Sequence, residues 1–154
     1  MKEHVAVHRA KQVGPEGKAV GIDFSPEGIA EAETKANELG LEEVTELRVA
    51  DAEKLPFEDN YFDAVISECV VCLTPNKQKA FDEKTRVLKP GGKIVMHDVI
   101  SKAPMPKAVQ TDPEVYCGCI GGAVSQDDYV EMFQRAGLTE IDTVDYSEEP
   151  RAHA

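Results

Sequence analysis

The sequence predicts an α/β fold in which a mostly parallel sheet is flanked by helices. Two observations predict it. Strand-like and helix-like segments alternate along the 154 residues, and the strand-like runs are short, apolar and β-branched, as suits strands covered on both faces. A third observation points to use: several of these runs end on an acid or are followed by one, at the rim where open α/β sheets bind ligands.

Residues 18–23 (KAVGID) read as the first strand. Ser25-Pro26-Glu27 then offers an N-cap with Pro at the first helical position. Ile29, Ala32, Ala36 and Leu39 follow at helical spacing, and Gly40 stops the helix. Residues 46–50 (ELRVA) form a second strand, followed by Asp51. Asp59-Asn60 turns the chain into a third strand over 61–67 (YFDAVIS). A helix over 76–88 carries Phe81 and Leu88 inward and ends at Lys89-Pro90-Gly91-Gly92, a combined helix stop and turn. Residues 93–98 (KIVMHD) give a fourth strand. Beyond a loop with Pro104, Pro106 and Pro113, the run Ser125-Gln-Asp-Asp128 resembles a capping box. It opens a helix with Tyr129, Met132, Phe133 and Ala136 on one face, closed by Gly137. Residues 140–146 read as a last strand, and 147–154 as a loose tail. No repeat or linker divides the chain, so residues 1–154 read as one domain.

Composition excludes some functions. The formal charge of −12 would repel polyphosphates, which argues against a nucleic-acid partner; its plain meaning is a well-solvated surface. No apolar run approaches the roughly 20 residues that span a bilayer. The first dozen residues hold Glu3, His4, His8, Arg9 and Lys11, unlike a signal peptide. A cytoplasmic location is the expectation, and there the four cysteines would be free thiols or metal ligands rather than disulfides.

The rim residues are Asp23, Asp51-Ala52, Ser67-Glu68-Cys69 and His97-Asp98. A carboxylate beyond a strand can accept both hydroxyls of a ribose, and a second one strand further on can accept from an adenine amino group. Equally, Asp23 and Asp51 can simply cap turns. Cys69-x-x-Cys72 and Cys117-x-Cys119 can be buried thiols, ligands for a soft thiophile, or a four-sulfur zinc site, although CxC is not a usual zinc spacing. His4 and His8 stand four apart on a candidate helix, without further ligands nearby in sequence. His97 can touch a substrate or serve packing.

Four stretches occur in order. They are Gly14-Pro-Glu-Gly17-Lys-Ala-Val-Gly-Ile-Asp23, Asp51-Ala-Glu-Lys-Leu-Pro-Phe57, Asp59-Asn-Tyr-Phe-Asp-Ala-Val-Ile66 and Arg86-Val-Leu-Lys-Pro-Gly-Gly92. Together they resemble the class I S-adenosylmethionine-dependent methyltransferases, over nearly the whole chain. Ile66-Ser-Glu-Cys-Val-Val-Cys-Leu73 and Asp112-Pro-Glu-Val-Tyr-Cys-Gly-Cys-Ile-Gly-Gly-Ala123 resemble the arsenite methyltransferases in particular. The resemblance implies a Rossmann-like fold, S-adenosylmethionine as cofactor and a small thiophilic acceptor such as arsenite. It implies that Asp23 holds ribose, Phe24 packs near adenine, and Asp51 and Ala52 address the adenine edge, with Ser67 and Glu68 also on the cofactor side. Cys69 and Cys119 match the family's arsenic-binding cysteines, and the acceptor held by their sulfurs would attack the sulfonium methyl in line.

The resemblance also implies that the family's first strand and glycine-rich loop are absent, because residues 3–13 match the end of the first helix. That strand is central in the family fold. The expectation is therefore that strand 18–23 either pairs directly with strand 61–67 or is completed by a second molecule, giving a homo-oligomer through unpaired edges. A non-catalytic module that keeps the fold without the cofactor is the rival reading.

Overall fold

The computed structural model describes residues 5–14 and 16–146. The expected loose tail and His4, half of the His4/His8 pair, lie outside the described residues. Helix α1 (Val5–Ala10) leads into strand β1 (Ala19–Asp23), helix α2 (Pro26–Glu38) and strand β2 (Thr45–Val49). Strand β3 (Phe62–Glu68), helix α3 (Lys77–Val87) and strand β4 (Leu88–His97) follow. Short helices α4 (Lys107–Gln110) and α5 (Pro113–Cys117) and then α6 (Gln126–Arg135) complete the order. No helix among the described residues is long and apolar enough to cross a membrane.

Capping chemistry sets the helix starts where the sequence places them. The Ser25 hydroxyl accepts from the Gly28 N–H at 3.2 Å with Pro26 in the first turn. The Asn76 side chain accepts from Lys79 N–H at 3.1 Å. Ser125 and Asp128 cap one another's backbone reciprocally, a true capping box.

The strands form two parallel pairs, β1 with β2 and β3 with β4. Each pair rests on its own apolar cluster. Val7, Ala32 and Ala36 with Leu47 serve the first, and Gly21 lets α1 lie so close that a Cβ there would stand 2.6 Å from that of Ala6. Val71, Phe81 and Tyr129 with Met96 and Phe133 serve the second.

Three expectations need correction. Of the two alternatives expected for β1, direct pairing with β3 is not formed: among the described residues each lies in a separate two-stranded sheet. Two independent clusters position the strand pairs, so no common core draws the inner edges to hydrogen-bonding distance. Residues 140–146 are not a strand. They run irregularly, with Val144 69% and Tyr146 56% exposed, and among the described residues no strand pairs with them. Finally, Lys89–Gly92 is not a turn between helix and strand. β4 starts at once at Leu88, and the four residues bulge out between the pairs Phe62↔Leu88 and Ala64↔Lys93, with Gly91 at φ 79°. Leu39, the last of the residues at helical spacing, caps α2 and is 40% exposed.

The segment between β2 and β3 ties the halves together. The Arg48 guanidinium stacks over the Phe57 ring at 5.1 Å, and Phe57 packs on Tyr61 and Phe62. From α3, Glu83 accepts the Leu55 N–H at 2.7 Å, while Arg86 donates to the carbonyls of Leu55 and Phe57 and to Asp59.

Candidate active site

At the end of β3 the chain turns on Cys69, whose backbone is left-handed at φ 47°. Its N–H donates to the His97 carbonyl at 2.8 Å, so the turn hangs from the end of β4. A short 3-10 turn, Val71–Leu73, then buries Val71 and Cys72 completely. Two side chains hold this turn. Asp98 accepts the Cys72 N–H at 3.2 Å through Oδ2 and the Val99 N–H at 2.9 Å through Oδ1. Lys77 donates to the carbonyls of Val71, Cys72 and Thr74 at 3.1–3.2 Å, gathering the carbonyls of the turn around one ammonium.

The second loop folds against the first. Asp112 caps α5 by accepting from the N–H groups of Glu114 and Val115, and Pro113 occupies its first turn. Cys119 follows in left-handed backbone at φ 67°, with its N–H on the Tyr116 carbonyl. Gly121 and Gly122 bring the loop home. A Cβ at Gly121 would lie 2.9 Å from Tyr116 Cα, and one at Gly122 would overlap the Cys72 carbonyl. The Cys119 thiol therefore reaches the Cys69 carbonyl at 3.8 Å and stands beside both the Cys69 and Cys72 thiols. Two cysteines fifty positions apart both sit in a backbone region that costs non-glycine residues of order 1–3 kcal/mol, a concentration typical of functional sites.

Burial first, then the Asp98 carboxylate and the Cys119 thiol, push the Cys69 thiol above its ordinary range. Burial and a hydrogen bond to Asp98 push Cys72 far higher. Both are protonated at neutral pH, so any ligand they take must accept or displace their protons.

The acids form a second group at the carboxyl ends of β1 and β2. The Ala50 N–H donates to the Asp23 carbonyl at 2.9 Å, setting Asp23 beside the segment that carries Asp51. Each spends one carboxylate oxygen locally, Asp23 on the Ser25 N–H at 2.9 Å and Asp51 on the Glu53 N–H at 2.8 Å. Gly28 leaves room for the other Asp23 oxygen, which a Cβ would approach to 3.0 Å. Phe24 is 77% exposed beside them, and Ala52 is half-buried. Glu53 links this rim to the thiols: its carboxylate accepts the Asn76 N–H at 2.7 Å, and Asn76 caps the helix bearing Lys77.

The structure thus brings Cys69 and Cys119 together and, separately, Asp23 and Asp51. Ser67 is buried with no partner for its hydroxyl among the described residues, and Glu68 is exposed. His97 contributes its carbonyl, with its side chain exposed. Cys117 is exposed, and among the described residues no three Cys, His, Asp or Glu side chains gather to hold a metal ion. Sequence reasoning missed Glu53, Lys77, Gly122 and the coupling of Asp98 to the thiols. Only the glycine pair and the strand-end position of Asp98 hinted at them.

A family profile described as a methyltransferase domain matches residues 4–137. The chain belongs to the class I S-adenosylmethionine-dependent methyltransferases. Within this methyltransferase family it is 41% identical over 133 residues to an arsenite methyltransferase of Halobacterium salinarum, covering 86% of this chain and 34% of that protein. Its fold matches the crystal structure of an arsenic(III) S-adenosylmethionine methyltransferase from Chlamydomonas reinhardtii with a TM-score of 0.76. That match has 30% identity and covers 85% of this chain and 46% of the other. It also matches a [4+2]-cyclase, at TM-score 0.68 and 27% identity over 83% of this chain and 45% of that one. The chain spans between a third and a half of the length of these relatives.

Proposed function

We propose that the chain carries the acceptor site and the adenosine side of the cofactor site of a methyltransferase acting on a small thiophilic acceptor, arsenite foremost. The observation that carries this reading is the meeting of Cys69 and Cys119, each in left-handed backbone, through a glycine contact. Trivalent arsenic is soft, and sulfur is its natural ligand. The relatives named for arsenite and arsenic(III) support the choice of acceptor.

The residues present fit the cofactor's adenosine part. Asp23 has one carboxylate oxygen uncommitted among the described residues, Asp51 lies on the next strand, and Phe24 offers an exposed ring. S-adenosylmethionine, when bound, supplies an electrophilic methyl on a sulfonium. The part played by this chain is to fix the acceptor through Cys69 and Cys119 with its lone pair directed at that methyl. No strong general base is required, so positioning and a fixed electrostatic frame supply the catalysis. Asp98 and Lys77 hold the turn bearing Cys72, while Ser67 and Glu68 line the rim toward the cofactor.

Calorimetric titration tests both halves. Arsenite should bind the wild-type chain, and Cys69→Ser or Cys119→Ser should each weaken binding at least a hundredfold; binding unchanged by either substitution rejects the acceptor site. A second reading, a module that keeps the fold without the reaction, is favoured by the edges of β1 and β3, unpaired among the described residues, and by the cyclase neighbour. Absence of heat and of thermal stabilisation with millimolar S-adenosylmethionine would select it.

A further inference from the structure

Parallel strands occur almost only in sheets that are covered on both faces. Strands β3 and β4 depart from this. Successive residues of a strand point to opposite faces, and here exposure follows the alternation. Ala64, Ile66 and Glu68 are exposed, and so are the residues beside them in register, Lys93, Val95 and His97. Ser67 and Met96 point the other way, where Met96 packs on Val71, Phe81 and Tyr129. One face of the strand pair therefore carries its core. The other is bare among the described residues, with Ile66 38% and Val95 59% exposed. The bare face also has an order. Ile66 and Val95 lie side by side at its centre, Lys93 beside Ala64 at one end, and Glu68 beside His97 at the other. The ends are about 13 Å apart along the strands. Neither Lys93 nor Glu68 makes a hydrogen bond or ion pair among the described residues.

We propose that this face docks a second copy of the chain, sheet against sheet, about a two-fold axis that crosses the strands at the Ile66–Val95 pair. Rotation about such an axis reverses the strand direction. It lays Ile66 and Val95 against the same two residues of the partner subunit, an apolar centre on the axis. It also carries the Lys93 end of each chain over the Glu68 end of the other, so both uncommitted charges are answered, once on each side of the axis. Facing sheets stand about 10 Å apart, and Ala64 is small enough to leave room for Glu68 of the partner subunit. A two-fold axis along the strands would instead bring the two Lys93 ends together, so the charge pattern selects the first arrangement. The contact uses the face of the sheet and leaves the edges of β1 and β3 as they are. Three residues on each of two strands make a small interface, and the formal charge of −12 on each chain opposes approach. The dimer is accordingly weak and reversible, with a Kd on the order of 100 μM.

Analytical ultracentrifugation of the full chain tests this, from about 1 μM to about 1 mM protein and at about 0.15 M salt, which screens the distant charges. Wild type should pass from monomer to dimer and no further, because a two-fold contact closes on itself. Val95→Glu sets a carboxylate from each copy into the apolar centre and should raise Kd about a hundredfold. Lys93→Glu and Glu68→Lys each set like charges opposite one another and should raise Kd about tenfold. The double reversal Lys93→Glu/Glu68→Lys should return Kd to within about threefold of wild type. That arm separates a charge contact from mere damage, since a misfolded single variant is not repaired by a second substitution. A wild-type chain that stays monomeric throughout overturns the proposal, as does growth into larger species. Dimerisation indifferent to Val95→Glu also overturns it and places the contact elsewhere, at the strand edges for instance. So does a double reversal that associates no better than either single variant.

Discussion

Gly122→Ala is expected to displace the Cys119 loop and to abolish arsenite binding without touching a sulfur atom. The added Cβ would overlap the Cys72 carbonyl oxygen and come within 2.9 Å of its carbonyl carbon, with Tyr116 at 3.3 Å on another side. Neither backbone can give way cheaply. The Cys72 carbonyl is gripped by Lys77 at 3.2 Å, and the N–H of the same residue is held by Asp98. Overpacking against fixed backbone costs about 3 kcal/mol, which in a chain of this size lowers Tm by roughly 6–12 °C. The loop that moves carries Cys119, so the two thiols should separate. Gly91→Ala is the control: its φ of 79° makes alanine costly by about 1 kcal/mol, yet nothing lies within 4 Å and the thiols are untouched. Melting curves and arsenite titration of both variants decide it. Wild-type binding by Gly122→Ala would show that the glycine contact does not set the thiol geometry.

That contact marks the boundary of what the sequence discloses. Local signals were legible because their physics is local. Ser25 and Ser125 announce helix starts through bonds to residues three positions on, and Asp23 and Asp51 close their strands as the pattern of apolar runs implies. The pairing of Cys69 with Cys119 was legible only through resemblance, since no spacing rule joins residues fifty apart. Lys77 and Glu53 were not legible as site residues at all, and Cys72 only as one member of a cysteine pair. Their roles depend on where a 3-10 turn places three carbonyls and on which helix N-terminus meets the loop after β2. The segment 140–146 shows the opposite failure. Ile141 and Val144 look strand-like, but a strand is a relation between two segments, and its partner is not among the described residues. Of the two alternatives expected for β1, direct pairing with β3 is not formed for a related reason: hydrophobic pattern assigns strands but not neighbours, and each strand pair follows its own core.

Arg86→Ala should be the most destabilising change outside the thiol region, and it should act on the acid rim. Arg86 donates to both oxygens of Glu83 at 2.7 and 2.8 Å, to Asp59 at 2.8 Å, and to the carbonyls of Phe57 and Leu55 at 2.8 and 3.1 Å. Its side chain is 31% exposed, so solvent discounts the ionic part, but the Leu55 and Phe57 carbonyls lose the guanidinium that holds them to α3. A loss of about 3 kcal/mol is expected from this set of bonds. Lysine should recover little, because one ammonium cannot span a carboxylate and two carbonyls at once. The pH dependence has a definite sign. Arg86 first, helped by the Leu55 N–H, holds the Glu83 carboxyl below the ordinary carboxylate range. Its contribution is therefore complete above the unfolded value of about 4.3 and is lost as the pH falls through the lower folded value. Wild type and Arg86→Ala should differ fully at pH 7 and converge progressively in acid. Because the clamped loop begins at Asp51, the variant should also bind S-adenosylmethionine several-fold more weakly while keeping wild-type affinity for arsenite. Equal loss of both ligands would mean that the rim and the thiols share one structural support, and that Glu53 on the Asn76 N–H transmits more between them than a single hydrogen bond implies.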